Sequence, residues 1–449
     1  MGACDEERVV RLPASRCTWH PAAQMARELP TTHEHRGPTK PRIARRRQVL
    51  IAAFPRPAAA AVPDSGATIG RAWLEERGLG DREVSTSQLR IDRAGGGLRI
   101  ADVGSRNGTW VNGTRLERGE LVPLDDGALL RFGRTVLVFR EELLGELEVS
   151  EPIGGLVGPY GLRSVTEALR GLSRDPPKTV LVEGETGVGK ELVARAVAAA
   201  LGRSQPFAAI NVAALAPSVF ESHVFGHVAG AFSGARADEA GIVRALDGGT
   251  LFLDEIGELA LELQAKLLRT IENGEVLPVG ARRPVRVDVS FVAATNRALG
   301  EMVERGAFRR DLLARLAMVS IRIPPLRERR EDVFAIAGAL ARRSGAPLDA
   351  DHVEVEAVER LVLEPWASNV RGLDAALAAV RRIDAQPGLR LWALEEVLGA
   401  RRADGGALTA RAVQTAIEAA AGNVTAAAAK LGVSRGKLLR MRKRNTTES

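Results

Sequence analysis

Cysteine is scarce in this 449-residue chain, where only Cys4 and Cys17 occur, both near the start. Two cysteines cannot supply a disulfide framework or a four-thiolate zinc site for the rest of the chain, so we expect a reducing compartment. The sequence also lacks an uncharged apolar run of about eighteen residues, the length that a membrane-spanning helix needs. The acidic opening Asp5-Glu6-Glu7 is unlike a signal peptide. We therefore expect a cytoplasmic protein without a membrane partner.

Charge is spread unevenly along the chain, whose formal net charge is +7. Residues 1–62 carry 11 Lys/Arg against 5 Asp/Glu, and residues 407–449 carry 8 against 2, so the stretch between them is net acidic. A basic tail can neutralise nucleic-acid phosphates, whereas a basic leader can also be a solvated arm. Charge alone therefore leaves DNA binding and solubility both open.

The N-terminal third of the chain contains two kinds of sequence. Residues 1–45 lack apolar periodicity, and we expect a disordered basic leader. Residues 46–142 contain short β-rich runs separated by turn dipeptides such as Asn112-Gly113. This pattern is typical of a β-sandwich.

The remaining chain reads as three further units. Residues 152–325 alternate buried strands with amphipathic segments, which is typical of an α/β domain with a parallel sheet. Residues 326–400 read as wholly helical, and a Gly-containing break separates them from a small all-α segment at 407–449. The predicted fold class is therefore multidomain: a β-sandwich, an α/β domain followed by a helical segment, and a small all-α domain.

A glycine-rich loop follows an apolar strand and opens a helix. It reads Gly184-Glu185-Thr186-Gly187-Val188-Gly189-Lys190, followed by Glu191. The glycines let backbone N–H groups approach phosphates, the helix N-terminus favours negative charge, and Lys190 can reach the β- and γ-phosphate oxygens. The loop therefore predicts a nucleotide-binding site.

Two carboxylates end a second apolar strand, in Leu251-Phe252-Leu253-Asp254-Glu255. Asp254 can hold the magnesium ion of bound ATP, and Glu255 can orient or deprotonate the attacking water. Alone, such a pair is more often a solvated turn. The phosphate loop upstream favours the catalytic interpretation.

With these motifs, residues 152–400 resemble the AAA+ domain of sigma-54-dependent transcriptional activators, also called bacterial enhancer-binding proteins. Gly184 to Glu191 matches the family's phosphate loop, and Pro324 to Arg329 matches its boundary into the lid. The resemblance implies an ATPase that uses ATP and Mg²⁺ and forms a homo-oligomeric ring, expected to be a hexamer. It also implies two further partners: sigma-54 RNA polymerase holoenzyme, on which the ring acts, and upstream enhancer DNA, to which the protein binds.

The resemblance also implies roles for single polar residues. Asn211 corresponds to the family's switch asparagine, which pairs with the catalytic glutamate, here Glu255. Asn296 corresponds to a sensor residue at the end of a strand. Arg309 and Arg315 fall at arginine-finger positions, which act on the nucleotide of a neighbouring subunit.

A lid motif is present in altered form. The segment Trp366-Ala367-Ser368-Asn369-Val370-Arg371-Gly372-Leu373 resembles the family's WPGNVREL, in which Arg371 is the second sensor. Ala367, Ser368 and Gly372 depart from that pattern.

A second loop sets these activators apart from other AAA+ ATPases. Gly230-Ala231-Phe232-Ser233-Gly234-Ala235 resembles their GAFTGA loop, which contacts sigma-54. An apolar residue between glycines is a poor core residue and suits the tip of a mobile loop. Ser233 keeps the hydroxyl of the family's Thr and lacks its methyl. A plain glycine-rich surface loop is the alternative.

The β-rich segment resembles forkhead-associated (FHA) domains, which recognise phosphothreonine. Thr68 to Arg71, Ser85 and Asp102 to Gly113 match in order and spacing. The resemblance implies a phosphopeptide site, for a partner modified by a Ser/Thr kinase, at Arg71, Ser85, Arg106 and Asn107. The family's Ser-Arg-x-His reads Ser85-Thr86-Ser87-Gln88 here, so a purely structural module is the alternative.

Residues 407–449 resemble a Fis-like helix-turn-helix. Gly432 can make the turn and Ser434 can cap the recognition helix. That helix would present DNA-binding side chains from Arg435, Lys437, Arg440, Arg442 and Lys443. A basic solvated tail is the alternative.

Two functions remain open from the sequence. The first is an ATP-dependent activator of sigma-54 transcription that is regulated through phosphothreonine. The intact phosphate loop, carboxylates and arginine fingers favour this function. The second is a DNA-bound regulator or phospho-dependent scaffold whose AAA+ domain assembles without remodelling sigma-54. Ser233 and the altered lid motif favour the second.

Overall fold

The computed structural model describes residues 47–94, 97–142 and 147–399. The predicted leader and the predicted helix-turn-helix, with its five candidate DNA-binding residues, lie outside these ranges. Within them, every helix is too short or too polar to cross a bilayer.

The first described segment is a β-sandwich. Its elements in chain order are β1 (Val49–Phe54), β2 (Ala58–Ala61), β3 (Thr68–Ile69), α1 (Arg71–Glu75), β4 (Leu89–Ala94), β5 (Gly97–Asp102), β6 (Trp110–Val111), β7 (Thr114–Arg115), β8 (Val122–Leu124), β9 (Leu129–Phe132) and β10 (Thr135–Arg140). One antiparallel sheet has the order β2-β1-β10-β9-β6-β7 and the other β3-β4-β5-β8. In β4, Leu89 and Ile91 are buried between the sheets and Arg90 is exposed, as the two-residue period of a strand requires.

The second segment is an α/β domain. Its elements are α2 (Arg163–Leu172), β11 (Thr179–Glu183), α3 (Lys190–Ala200), β12 (Phe207–Asn211), α4 (Pro217–Phe225), α5 (Ile242–Ala245), β13 (Thr250–Asp254), α6 (Leu261–Asn273), β14 (Glu275–Val276), β15 (Val285–Arg286), β16 (Ser290–Thr295), α7 (Leu299–Glu304), α8 (Arg310–Leu316) and β17 (Ser320–Arg322). The main sheet is parallel, in the order β12-β13-β16-β11-β17. Val180 and Val182 pack in a core with α2 and α3, whereas Leu181 packs on the opposite face. Burial on both faces explains why β11 is a continuous apolar run.

The parallel sheet brings the polar strand ends to one edge. In β12 and β13, Asn211 is level with Asp254. In β11 and β16, Glu183 is level with Thr295. The phosphate loop after β11 therefore begins beside the carboxyl ends of the other strands, where ligands bind in open α/β sheets.

The third segment is a helical lid, formed by α9 (Val333–Arg343), α10 (Val355–Leu363), α11 (Asn369–Ile383) and α12 (Leu391–Leu398). Apolar residues of these helices share one core with Phe54 of β1 and with Val136 and Val138 of β10. All six residues of β1 are buried, because the lid and Tyr160 cover the part of the strand that the sandwich core does not.

Candidate functional site

The phosphate loop connects β11 to α3. Gly187 and Gly189 have φ angles of 81° and 105°, in the left-handed region that favours glycine. A Cβ atom at Gly187 would lie 2.4 Å from the carbonyl oxygen of Ser368, so the lid backbone packs directly against the loop. Lys190 begins α3, is 7% exposed, and donates from Nζ to the carbonyl oxygen of Gly184 over 3.2 Å.

Carbonyl groups of the loop are held by the lid and its boundary. Three accept hydrogen bonds: Thr186 from Nδ2 of Asn369 over 3.1 Å, Gly187 from the N–H of Val370 over 3.0 Å, and Val188 from Nη2 of Arg329 over 3.3 Å. Among the described residues, the backbone N–H groups of 185–189 meet no protein acceptor. A loop whose carbonyls are bound and whose N–H groups are unpaired is complementary to an anion, and phosphate fits it.

An ion pair fastens the loop to the start of the lid. Both guanidinium Nη atoms of Arg327 donate to the Glu185 carboxylate, over 2.8 and 2.6 Å. Asn369, which is fully buried, adds a hydrogen bond of 3.1 Å to Glu185 and accepts one from the N–H of Leu326. Hydrogen bonds from Arg327 and Asn369 lower the pKa of Glu185 to about 2. Sequence motifs alone do not single out Arg327 or Asn369, although both residues lie in segments that match family motifs.

Asp254 and Glu255 lie beside Lys190. Asp254 ends β13 and is partly buried, and its Oδ1 accepts the N–H of Glu255 over 3.0 Å. Glu255 has a φ of 55° and holds Oε1 3.8 Å from Nζ of Lys190. In the described part of the chain, no three Asp, Glu, His or Cys residues are grouped to hold a metal. Mg²⁺ keeps waters and substrate phosphates as ligands, so a single protein carboxylate such as Asp254 suits it.

The two asparagines behave differently. Nδ2 of Asn296 donates to Oγ1 of Thr186 over 3.1 Å, which ties the end of β16 to the phosphate loop. Oδ1 of Asn211 accepts the N–H of Ala213 over 2.9 Å and caps the turn after β12. The expected hydrogen bond from the amide of Asn211 to Glu255 is not formed in this structure, in which the Glu255 carboxylate faces Lys190.

The phosphate loop from Thr186 to Lys190 lines a cavity of about 520 Å³, and Asn296 is absent from its lining. Its polar side includes Lys190, Asn211, Asp254 and Glu255, and Arg371 of α11 also lines it. Its apolar side comes from the chain before α2 and from the lid: Leu156, Val157, Leu162, Ile336, Leu340 and Val370. A cavity of this size with one charged and one apolar side can hold a nucleotide, with phosphates at the loop and a base against the apolar wall.

Arg309 and Arg315 are absent from the residues that line this cavity. Arg309 precedes α8 and pairs with Asp311 over 2.7 Å, and Arg315 pairs with Glu272 over 2.8 Å. Their side chains are 43% and 54% exposed. Both guanidinium groups are therefore presented on the surface, where a second molecule can reach them.

The loop from Gly230 to Ala235 is closed by a hydrogen bond of 2.8 Å between the N–H of Gly230 and the carbonyl of Ala235. Gly230 and Gly234 have φ angles of 81° and 120°. Phe232 at the tip is 47% exposed, and one side of its ring lies against His227, with centroids 5.0 Å apart. A phenylalanine exposed to this degree is available to a partner.

The four candidate phosphopeptide residues meet at one end of the sandwich. The N–H of Arg71 donates to the carbonyl of Ser85 over 3.0 Å, and Oγ of Ser85 accepts the N–H of Arg106 over 3.0 Å. Nδ2 of Asn107 donates to the carbonyl of Glu83 over 2.7 Å. Arginines, a hydroxyl and an amide in one place suit a phosphorylated peptide.

Gln88 supports this end of the sandwich. It is fully buried, and its amide Nε2 donates to the carbonyl of Gly108 over 2.9 Å and to Oγ1 of Thr109 over 3.0 Å. Its Oε1 accepts the N–H of Ser85 over 3.1 Å. The glutamine thus connects the Ser85 and Arg106 loops from the position where the FHA pattern has histidine.

Two family models match separate parts of the chain, one in the α/β domain and one in the β-sandwich. The model of the Sigma-54 interaction domain matches residues 161–322. The model of the FHA domain matches residues 67–133. The first match contains the phosphate loop, both carboxylates and the Phe232 loop.

Curated relatives match the α/β part. The nitric oxide reductase transcription regulator NorR2 of Cupriavidus necator is 49% identical over 216 residues, which cover 46% of this chain and 42% of that protein. The DNA-binding transcriptional regulator NtrC of Rhizobium meliloti is 44% identical over 209 residues, which cover 46% of this chain and 43% of that protein. The chain thus spans less than half the length of these relatives.

A solved structure extends the likeness. NtrX from Brucella abortus in complex with ATP is 26% identical, with a TM-score of 0.50, and the match covers 64% of this chain and 69% of that one. The chain therefore combines a segment similar to the Sigma-54 interaction domain of transcription regulators with a segment similar to an FHA domain.

Proposed function

We propose that this chain is an ATP-hydrolysing activator that remodels sigma-54 RNA polymerase at promoters and responds to phosphothreonine through its sandwich. One observation carries the proposal: the segment that matches the Sigma-54 interaction domain contains both the exposed Phe232 loop and the phosphate loop, whose unpaired N–H groups lie at the polar side of a nucleotide-sized cavity.

The chemistry follows from the residues of the cavity. The N–H groups of 185–189 and the ammonium group of Lys190 bind and orient the phosphates. The carboxylate of Glu255 orients the attacking water and accepts its proton. Asp254 offers an oxygen ligand to Mg²⁺, which when bound neutralises charge on the phosphate oxygens.

Completion of the site requires a second copy of the chain. Arg309 and Arg315 are exposed and lie outside the cavity of their own chain, so in a ring they would stabilise the charge that develops on the neighbour's phosphoryl group. Arg371 acts within the same chain, since it lines the cavity from the lid. Hydrolysis would then be coupled to the position of the loops that carry Phe232.

The outer parts of the chain supply control. The 407–449 segment would bind DNA upstream of the promoter through its basic recognition helix. The sandwich would bind a phosphothreonine peptide from a kinase pathway through Arg71, Ser85, Arg106 and Asn107.

The test is an open-complex assay with the full-length protein, ATP, Mg²⁺ and sigma-54 holoenzyme on a supercoiled promoter. We expect ATP hydrolysis and open-complex formation. Hydrolysis without promoter opening would favour the second candidate, a DNA-bound scaffold, which the replacement of Thr by Ser233 in the loop supports. Absence of hydrolysis would overturn the catalytic assignments.

A further inference from the structure

The sandwich is packed on the lid through an apolar contact. Phe54 of β1 lies edge-to-face on Phe334 of α9, with ring centroids 4.9 Å apart and an interplanar angle of 88°. Leu129, Val136 and Val138 of the sandwich belong to the same buried cluster as the lid helices. Close-packed interiors transmit displacement, so a shift of the sandwich would move α9.

Two buried ion pairs cross the same interface. Nε of Arg131 in β9 donates to Glu359 in α10 over 2.7 Å, and the two side chains are 7% and 9% exposed. Nη2 of Arg140 in β10 donates to Glu331, just before α9, over 2.5 Å. Burial opposes the charge of Arg140, but Glu331 and Asp126 outweigh it and raise the pKa of Arg140. Both pairs fix the orientation of the lid, because separating the partners of such a pair would leave a charged group without its partner in a largely buried place.

The lid elements held in this way also form the nucleotide cavity. On α9, Phe334 contacts the sandwich while Ile336, Leu340 and Arg343 line the cavity. On α11, Asn369 and Val370 hold the carbonyls of the phosphate loop. One layer of helices thus lies between the sandwich and the cavity.

Arg131 is also connected to the candidate phosphopeptide site. Its guanidinium group lies over the ring of Trp110, 3.7 Å from the centroid. Trp110 directly follows Thr109, whose hydroxyl is held by Gln88 and Asp102. The loop that carries Arg106 and Asn107 therefore ends at the residue that stacks on Arg131.

We infer that Arg131 and Arg140 are positioning residues of the nucleotide site: through Glu359 and Glu331 they hold the lid so that α9 and α11 close the cavity, and the sandwich thereby sets the affinity for ATP. This inference rests on the proposed ATPase function.

The test uses three full-length variants: Arg131→Met, Arg140→Met and the double variant that carries both substitutions. The control is Arg99→Met, which removes an exposed arginine from β5 of the same sandwich. The readouts are the Kd for a fluorescent ATP analogue with Mg²⁺, the KM for ATP and kcat, below the unfolding temperature of each variant. We expect Kd and KM to rise about fivefold in the double variant, with kcat changed less than about twofold, and no change in Arg99→Met. Arg131→Lys should recover part of the affinity, because it restores the charge without the guanidinium fork.

An unchanged Kd in a folded double variant, with only its melting temperature lowered, would overturn the inference and leave the pairs structural. If the double variant does not fold, the single variants Arg131→Met and Arg140→Met decide, and wild-type affinity in both would overturn it. A wild-type protein that binds no ATP would overturn the proposed function together with this inference, whereas equal binding by wild type and variants would overturn this inference alone.

Discussion

The ammonium group of Lys190 lies 3.8 Å from Oε1 of Glu255, so the cation of the phosphate loop faces the candidate catalytic base. The two residues come from different strands, Lys190 following β11 and Glu255 following β13. A polyphosphate in the cavity would compete with Glu255 for Lys190, because both are anions. We expect this competition to release the carboxylate toward water when the phosphates are bound.

Substitutions of these two residues should separate binding from turnover. Lys190→Ala should abolish ATP binding, because the loop loses its only cation. Glu255→Gln should bind ATP and reduce kcat by about 10²–10⁴-fold, the usual contribution of a general base. Titration with a fluorescent ATP analogue and a phosphate-release assay measure the two effects. Lys266→Ala, which removes a half-exposed lysine of α6, is the matched control. Normal turnover in Glu255→Gln would remove Glu255 from the mechanism.

The arginine-finger assignments predict complementation between subunits. Arg309→Ala and Arg315→Ala should each lower kcat by about 10³-fold and retain ATP binding, because each finger would act on a neighbour's nucleotide. Arg305→Ala removes a comparably exposed arginine of the adjacent turn and should have no effect.

Mixing supplies the decisive measurement. Lys190→Ala subunits have intact fingers, and Arg309→Ala subunits have an intact cavity, so a mixed ring contains complete sites. Hydrolysis in the mixture of two inactive proteins is the expected result. A mixture as inactive as its components would mean that Arg309 does not act across a subunit boundary.

The Phe232 loop should couple hydrolysis to promoter opening. Phe232→Ala should leave ATP hydrolysis within about twofold of wild type and abolish open-complex formation, because the side chain is exposed and lies outside the cavity. Leu261→Ala removes an apolar side chain of similar exposure from α6 and should affect neither activity. Loss of hydrolysis together with activation in Phe232→Ala would instead indicate a structural loop.

Local patterns in the sequence predicted much of the architecture. The Asn112-Gly113 dipeptide indicated a tight turn, and both residues have positive φ between β6 and β7. Alternation of apolar strands with amphipathic helices indicated the parallel α/β sheet, because strands buried on both faces cannot show a two-residue pattern. The β-rich and α/β regions of the predicted fold class are both present.

Contacts between distant residues could not be predicted in the same way. Arg131 and Glu359 are separated by 228 positions, and nothing local marks either as the partner of the other. Arg327 and Glu185 are 142 positions apart. Gln88 was noted only as a missing histidine, because a sequence does not show that an amide can make the same set of hydrogen bonds from a buried position.

The phosphopeptide site gives a prediction in which neighbouring serines serve as test and control. Ser85→Ala should weaken binding of a phosphothreonine peptide by about tenfold, because the loop loses a hydroxyl that can donate to a charged phosphate. Ser87 is exposed two residues away, and Ser87→Ala should bind as wild type does. Isothermal titration with phosphorylated and unphosphorylated peptides measures both. Equal affinities for the two peptides would make the sandwich a structural module.

The Glu185 contact with Arg327 predicts an acid-dependent part of stability. The pKa of Glu185 falls from 4.5 to about 2, chiefly through the Arg327 hydrogen bonds and then through Asn369. The folded protein therefore binds fewer protons at this site than the unfolded chain, so the stabilisation is complete above pH 4.5 and is lost as the pH falls toward about 2. The carboxylate is 42% exposed, so solvent screening reduces the size of the effect.

Urea denaturation between pH 7 and pH 3 measures this effect as a change in the free energy of unfolding. The proteins compared are wild type, Glu185→Gln and the control Glu301→Gln. Glu301 is an exposed carboxylate of α7, and its variant should follow wild type at every pH. Glu185→Gln should be less stable than wild type at pH 7, and the difference should shrink below pH 4.5, because the Glu185 carboxylate of the unfolded wild-type chain then takes up a proton while that of the folded protein stays ionised. A difference that stays constant down to pH 3 would show that Arg327 does not hold Glu185 in its charged form, and that the lid is fastened to the phosphate loop by the hydrogen bonds of Arg329, Asn369 and Val370 to the loop backbone instead.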